Sequence, residues 1–208
     1  MKTTNGLLPI FTLTIIAGLL PGNVARAADN VPPAGFVSLF SGRDFAGWTI
    51  PVGDNGHWKV VDGVIDYDAR SEAAGDKNLW TEREYGDFIL KVDWRIKETP
   101  YINPHVPYIL PDGTHARDTQ GKPLTLSLPD SDSGIFLRGQ GRYQVNIWCW
   151  PIGSGEMYGI RMDPKTSPEL RAAVTPRMQA DRPVGEWNHF EITVRGNRSE
   201  EHTSELQS

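Results

Sequence analysis

The chain has 208 residues, 38% hydrophobic and 23% charged, with 21 Lys+Arg against 26 Asp+Glu and a net charge of −5, proportions that suit one ordinary globular core. A mildly acidic chain with no Lys/Arg cluster lacks the positive patch that displaces counterions from nucleic acid or holds an anionic membrane, so both are excluded as partners. The single cysteine, Cys149, leaves no internal disulfide, and stability must come from packing.

Residues 1–27 begin with Lys2, run through an apolar stretch from Leu7 to Leu20, pass Pro21-Gly22 and reach Ala25-Arg26-Ala27, a small-x-small cleavage pattern. This predicts a secretory signal peptide, removal after Ala27, and an exported protein, periplasmic or extracellular. The apolar run is shorter than the ~20 residues that span a bilayer and is interrupted by Pro9 and Thr12, so no stable membrane span is expected.

From Phe36 onward, short runs rich in Val, Ile, Phe, Trp and Tyr alternate with Gly, Asp, Asn and Pro, and no long stretch has a 3.6-residue apolar period. That is an all-β signature. Strands are predicted at residues 58–61, 64–67, 78–81, 88–96, 134–138, 143–148 and 188–194, with Asp62-Gly63 as a two-residue hairpin turn. Within 88–96, Leu90, Val92, Trp94 and Ile96 share one face and Lys91, Asp93 and Arg95 the other, which predicts one core face and one wet face. Many short strands with turn-rich connections predict a two-sheet sandwich or jelly roll.

Residues 98–132 carry prolines at 100, 104, 107, 111, 123 and 129 and are too long for a plain connection. With His105, His115, Tyr101 and Tyr108, the segment reads either as a flap over a ligand or as a surface insertion with short ladders. In 162–182, Ser167 is placed to cap a short helix with Pro168 at its first position. Cys149, between Trp148 and Trp150, reads as a buried thiol on an aromatic strand.

The last stretch, 198–208, is a polar run with no strand or helix period, and its string resembles the translation of a common sequencing-library adapter over eleven consecutive residues. It is read as a non-native tail behind a truncated domain, and His202 is given no role. Setting both ends aside removes Lys2, Arg26 and Arg198 together with Glu200, Glu201 and Glu205, so the net charge stays at −5. The domain is then expected over residues 34–197.

A series of landmarks in that span carries a family resemblance: residues 35–44 (Gly-Phe-Val-Ser-Leu-Phe-Ser-Gly-Arg-Asp) with Gly47-Trp48, Trp58-Lys59-Val60-Val61-Asp62-Gly63, Leu79-Trp80-Thr81 with Tyr85-Gly86-Asp87-Phe88, and Asp93-Trp94-Arg95-Ile96. Asp132-Ser133-Gly134-Ile135-Phe136-Leu137-Arg138-Gly139, Tyr143-Gln144-Val145, Met157-Tyr158-Gly159 and Gly185-Glu186-Trp187-Asn188 follow. Together they resemble the 3-keto-disaccharide hydrolase domain. The resemblance implies a concanavalin-like lectin/glucanase jelly roll, usually in exported bacterial proteins, with a role in carbohydrate turnover and an oligosaccharide or glycoside as substrate. It also implies further strands beyond Trp187-Asn188, including one rich in Asn-Gly that this chain lacks. A jelly roll without its last strands leaves ladder edges open.

Retaining glucanases on such folds place two carboxylates about 5–5.5 Å apart. Here Gln144, Asn146 and Trp148 share the corresponding strand face, a set suited to hydrogen bonding and stacking against a sugar but unable to act as an acid pair. A ketone at sugar C3 changes the requirement, because it acidifies the C2 proton. A base removes that proton, the enolate expels the C1 substituent, and water adds. The site then needs a base, a cation or donor for the enolate oxygen, and a platform for the sugar. Asp93, Asp132 and Glu156 are the candidate bases, Arg138 and Arg95 the candidate oxyanion partners, and Gln144, Asn146, Trp148 and Tyr158 the sugar-orienting set. Asp93 and Arg95 equally suit a solvated strand pair, and Glu156 a plain loop carboxylate.

Residues 130–134 mimic the start of a calcium loop but lack its downstream bidentate Glu, and His57, His105, His115 and His189 show no metal-ligand spacing. A divalent cation bridging His105 or His115 to Asp132 is a possible cofactor that the sequence does not decide. The same Gln/Asn/Trp face would also serve a non-catalytic carbohydrate-binding module, so enzyme and lectin both stand at this point.

Overall fold

The computed structural model describes residues 30–70, 75–196 and 198–203; the predicted signal peptide lies outside the described residues. Asp62 and Gly63, at φ of 51° and 78°, make the tight turn that joins β2 (Trp58–Val61) to β3 (Val64–Tyr67) in an antiparallel hairpin, as predicted. The short strands β1 (Trp48–Thr49) and β4 (Trp80–Thr81) pair with each other.

The alternation in 88–96 is realised in β5 (Phe88–Trp94), where Phe88, Leu90, Val92 and Trp94 turn inward and Ile89, Lys91 and Asp93 outward. It pairs antiparallel with β10 (Asn188–Arg195) along its whole length. The buried β10 residues Phe190, Ile192 and Val194 continue the inward face of β5, and Trp94 lies across Phe190 with ring centroids 5.0 Å apart. On the outer face Lys91 pairs with Glu191 at 3.0 Å.

Residues 98–132 are not a plain loop. They contain β6 (Tyr101–Pro107) and β7 (Thr125–Asp130), an antiparallel pair whose register shifts between Asn103 and Val106, where Pro104 has no N–H to give the ladder. The short ladders of the insertion alternative are therefore present. β8 (Asp132–Phe136) follows at once and pairs with β9 (Gln144–Trp148) through two short 3-10 turns. Two short helices follow, α1 (Tyr158–Arg161) and α2 (Pro168–Ala173). In the second, the Ser167 hydroxyl accepts from the Leu170 N–H at 3.2 Å with Pro168 at the first position, as the sequence predicts.

Val145 and Ile147 of β9, with Leu137, Met157 and Ile160, pack into one core with Trp94, Phe190, Ile192 and Val194. The β5–β10 layer and the β8–β9 layer thus face each other across that core, the arrangement of an antiparallel all-β sandwich. β11 (Arg198–Thr203) adds to the free side of β10, so part of the stretch set aside as a tail pairs in a sheet. Strand addition uses main-chain groups that every residue but proline offers, and is indifferent to where those residues came from.

Candidate functional site on the outer face of strands 8 and 9

Because Val145 and Ile147 turn into the core, Gln144, Asn146 and Trp148 turn away from it. Register then assigns their neighbours: Asp132 lies opposite Trp148, Gly134 opposite Asn146 and Phe136 opposite Gln144. Gly134 is required here, since a Cβ would fall 2.5 Å from the Gln144 amide nitrogen and 2.8 Å from the Val145 carbonyl. On the other side Met157 bridges Val145 and shares its core face. Its neighbour Glu156 therefore joins Asn146 on the outer face, with the Asn146 N–H donating to the Glu156 carbonyl at 2.9 Å. Asp132, Gln144, Asn146, Trp148 and Glu156 are thus brought together, and the Tyr158 ring meets Trp148 edge-on at 6.4 Å.

The β6–β7 insertion reaches this face through its tip. Gly113 packs so closely on α2 and the turn after it that a Cβ would lie 2.6 Å from both Arg171 and Thr175. The Gly113 carbonyl accepts from Arg161 Nη1 at 3.2 Å, and the same nitrogen lies 3.1 Å from His115 Nε2. A guanidinium only donates, so Nε2 is the acceptor and the imidazole is neutral with its proton on Nδ1. Burial, ahead of the charges of Arg161 and Arg117, holds His115 below its ordinary value, in keeping with that state.

Arg161 Nε donates to Glu156 Oε1 in an ion pair whose two side chains are 1% and 0% exposed. Glu156 Oε2, Arg161 Nη2 and Asn146 Oδ1 are all buried and have no hydrogen-bond partner among the described residues. Burial pushes the Glu156 carboxyl up to about 7, against the opposing pull of Arg161. A carboxyl with one oxygen unsatisfied gains too little from one ionic contact to offset its lost hydration.

Asp132 is in a different state. No hydrogen bond or ion pair among the described residues engages its carboxylate. The residue is exposed, yet desolvation of its carboxyl, ahead of the nearby Asp130 charge, pushes it up to about 6. Asp130 itself is buried. Its Oδ2 accepts from Asn103 Nδ2 at 2.8 Å and Trp150 Nε1 at 3.1 Å, and its Oδ1 from the Ser131 N–H at 2.9 Å. Both oxygens are engaged, so Asp130 cannot reach a substrate as the second carboxylate of a retaining glycosidase.

Asp93, Arg95 and Arg138 are not brought to this face. Asp93 points outward from β5, where its Oδ1 lies 2.8 Å from His189 Nδ1, and Arg95 lies over the Trp187 ring at 4.8 Å. Arg138 leaves β8 at the end opposite Asp132, with φ of 54°. Its guanidinium donates to the Gly86 carbonyl at 3.0 Å, to Asp87 Oδ1 at 3.1 Å and to the Gly196 carbonyl. It ties two loops together instead of edging a cleft. Trp148, taken as a sugar platform, is 2% exposed. One face of its ring is stacked on Trp150 at 3.9 Å and its Nε1 donates to the Gly153 carbonyl at 2.6 Å, so it is a wall of the site and not an open stacking surface. Gln144 is half-buried, Asn146 is buried, and Tyr158 is exposed.

Arg161 and Trp150 were not candidates in the sequence, and Asp130 entered only as the start of a calcium-like loop. Asp130 and Trp150 flank residues that were singled out, but Arg161 carries no local signal, since its partners at Gly113 and His115 lie 48 and 46 residues away. Among the described residues no group of three His, Cys, Asp or Glu side chains is placed to hold a metal ion.

The sequence of residues 35–204 matches the family described as the 3-keto-alpha-glucoside-1,2-lyase-like domain. The chain belongs to this family. Members are concanavalin-like, which agrees with the sandwich seen here and marks the 3-keto-alpha-glucoside-1,2-lyase-like domain as carbohydrate-active and glycosyl hydrolase-like. A similar solved structure is that of a candidate glycosyl hydrolase from Parabacteroides distasonis ATCC 8503. It is 20% identical, with 84% of this chain and 73% of that chain covered and a TM-score of 0.47. No curated protein matches the chain. No helix among the described residues is long and apolar enough to cross a membrane.

Proposed function

We propose that this domain cleaves 3-keto-glycosides by removing the C2 proton beside the ketone, and that it acts after export, as the pattern of residues 1–27 suggests. The observation that carries the reading is the Asp132 carboxylate: solvent-reachable, without a partner among the described residues, pushed up to about 6, and opposite Trp148 in the β8–β9 ladder. A general base works best with a value near the working pH and a lone pair not already committed. Asp93 lacks the second property, being engaged with His189, and Glu156 is sealed from solvent.

In this reading Asp132 takes the C2 proton, and the C2–H electron pair moves into the C2–C3 bond as the ketone oxygen becomes an enolate. The enolate then re-forms the ketone and expels the C1 oxygen with its electron pair, leaving a C1–C2 double bond. The leaving oxygen takes a proton, and water adds across the double bond to complete net hydrolysis. Arg161 supplies positive potential beneath this face, because a Glu156 held near 7 leaves the pair with net positive charge at neutral pH and below. Gln144 and Tyr158 are the remaining groups that a sugar on this face would meet.

The test is release of the leaving group from a 3-keto-glucoside and from its unoxidised parent, with and without EDTA, for the wild type and Asp132→Asn. Turnover of the keto-sugar alone, lost in the variant and kept in EDTA, is the expected result; loss in EDTA would assign the enolate to a metal ion. Failure of the wild type to turn over either sugar would sink the catalytic reading and leave a lectin-like module.

A further inference from the structure

The β6–β7 insertion is braced by its own backbone. Tyr108 N–H donates to the Leu124 carbonyl at 3.1 Å, and Leu124 N–H to Ala116, Ala116 N–H to Tyr108 and Leu110 N–H to Thr114, each at 2.8 Å. Its tip meets α1 through the Gly113 carbonyl and His115 Nε2, and one atom, Nη1 of Arg161, donates to both. We infer that this contact is an acid-released clasp: protonation of His115 detaches the tip of the insertion from α1 and α2 and opens that flank of the β8–β9 face. The clasp stands whether or not the face carries out the proposed reaction.

Nη1 carries two hydrogens and meets two acceptors here, so docking takes up its whole capacity. A proton on Nε2 removes the lone pair that accepts one of them and sets an imidazolium N–H against a guanidinium N–H, with the two nitrogens 3.1 Å apart. The guanidinium stays charged throughout the pH range of a folded protein, so relief comes only from moving the ring away. Arg161 has no spare acceptor to turn to, since its Nη2 is already buried without a partner among the described residues. Its other contacts are Glu156 and the face of the Tyr158 ring at 5.6 Å.

The surrounding charges give a protonated His115 no support. Those that act on it, from Arg161 on α1 and Arg117 on the insertion itself, are both positive. On α2, Arg171 packs its stem at Gly113 and turns Nη2 to the Thr166 carbonyl, adding another cation. The acids of the insertion are committed to their own turns, Asp112 to the N–H and hydroxyl of Thr114, and Asp118 to the N–H groups of Gln120 and Lys122. Glu156 lies across Arg161, and with its carboxyl raised to about 7 it gains a proton before an ordinary imidazole does. Burial first and the two arginines next hold the docked ring below its ordinary 6.5. A ring lowered in this way contributes docking stability above that value which is lost as pH falls below it. Because the bonds bracing the insertion are its own, release of the tip is a local event and requires no unfolding of the sandwich.

The test is amide hydrogen exchange on the full chain, read by mass spectrometry at pH 5.5 and pH 7.5 and corrected for the intrinsic pH dependence of exchange. Peptides from the tip, 109–116, and from the helices beneath it, 157–175, should exchange about tenfold faster at the lower pH, the loss of one hydrogen bond to a charged group. Peptides from β5 and β10 should keep their protection. His115→Gln retains an oxygen acceptor for Arg161 and does not titrate, so it should abolish the acceleration. Imidazole ¹⁵N shifts of the wild type give a readout that needs no variant: His115 should carry its neutral-form proton on Nδ1 and titrate below 6.5 in step with the exchange. Equal exchange at the two pH values, an acceleration that His115→Gln retains, or one shared by β5 and β10 would each overturn the clasp. A neutral ring protonated on Nε2 would overturn it as well.

Discussion

Replacing Glu156 with Gln removes the charge of a fully buried carboxyl while keeping its shape, and the consequence for stability depends on pH in a way the structure fixes. Burial lifts this carboxyl from an ordinary 4.5 to about 7 in the folded protein. A raised value means that folding favours the protonated form, so the associated stability is complete below about 4.5 and is lost as pH rises through about 7. At about 1.4 kcal/mol per pH unit the full loss is on the order of 3 kcal/mol, most of which falls between pH 5 and pH 8. Glutamine does not titrate and escapes that loss. E156Q should therefore gain roughly 2–3 kcal/mol on the wild type between pH 5 and pH 8, a relative change in Tm of about 5–10 °C for a domain of this size. Urea unfolding followed by tryptophan fluorescence at the two pH values, with thermal melts alongside, measures the gap directly. A gap that stays constant, or that moves against glutamine as pH rises, would show that Glu156 is ionised throughout and that Arg161 outweighs its burial, which refutes the argument.

Three further outcomes follow from the same geometry. If Asp132 is the base, kcat/KM on a 3-keto-glucoside rises with pH through about 6, because the reacting form is the ionised one, and falls above about 7 as Glu156 ionises and cancels the Arg161 charge; a profile with no rise through about 6 removes Asp132 from that role. Arg138→Ala unfastens the Gly86, Asp87 and Gly196 contacts and should cost about 1–3 kcal/mol of stability while turnover per folded molecule is kept; lost turnover at unchanged Tm would return Arg138 to the site. Trp148→Ala should cost about 3–5 kcal/mol, the range for a buried large aromatic, whereas a small stability change with weakened sugar binding would show an open stacking platform after all.

Period-two patterns made much of the fold legible. Residues 88–96 alternate cleanly, and β5 buries the predicted face against Phe190, Ile192 and Val194. Asp62-Gly63 gave its turn away because few other pairs accept two positive φ values. The β6–β7 ladder was harder to see, since Pro104, Pro107 and Pro129 interrupt the pattern that marks a strand. At the site, the grouping of Gln144, Asn146 and Trp148 followed from alternation within one strand. Their union with Asp132 and Glu156 needed the register of β8 and the Met157 bridge, which no local rule supplies.

By itself the sequence determined the all-β class, the inward and outward faces of its clearest strands, the capped helix at Ser167, and the shared strand face of Gln144, Asn146 and Trp148. These are short-range consequences of side-chain shape and backbone geometry, readable within a few residues. Only the tertiary structure decided which candidates lie together. Arg138 is drawn off by carbonyls 52 and 58 residues away, Trp148 is walled in by Trp150 and Gly153, and Arg161 enters through an insertion it meets only when folded. Charge state was likewise settled by folding, because whether a carboxylate such as Asp132 or Glu156 titrates near neutrality depends on which atoms replace its water.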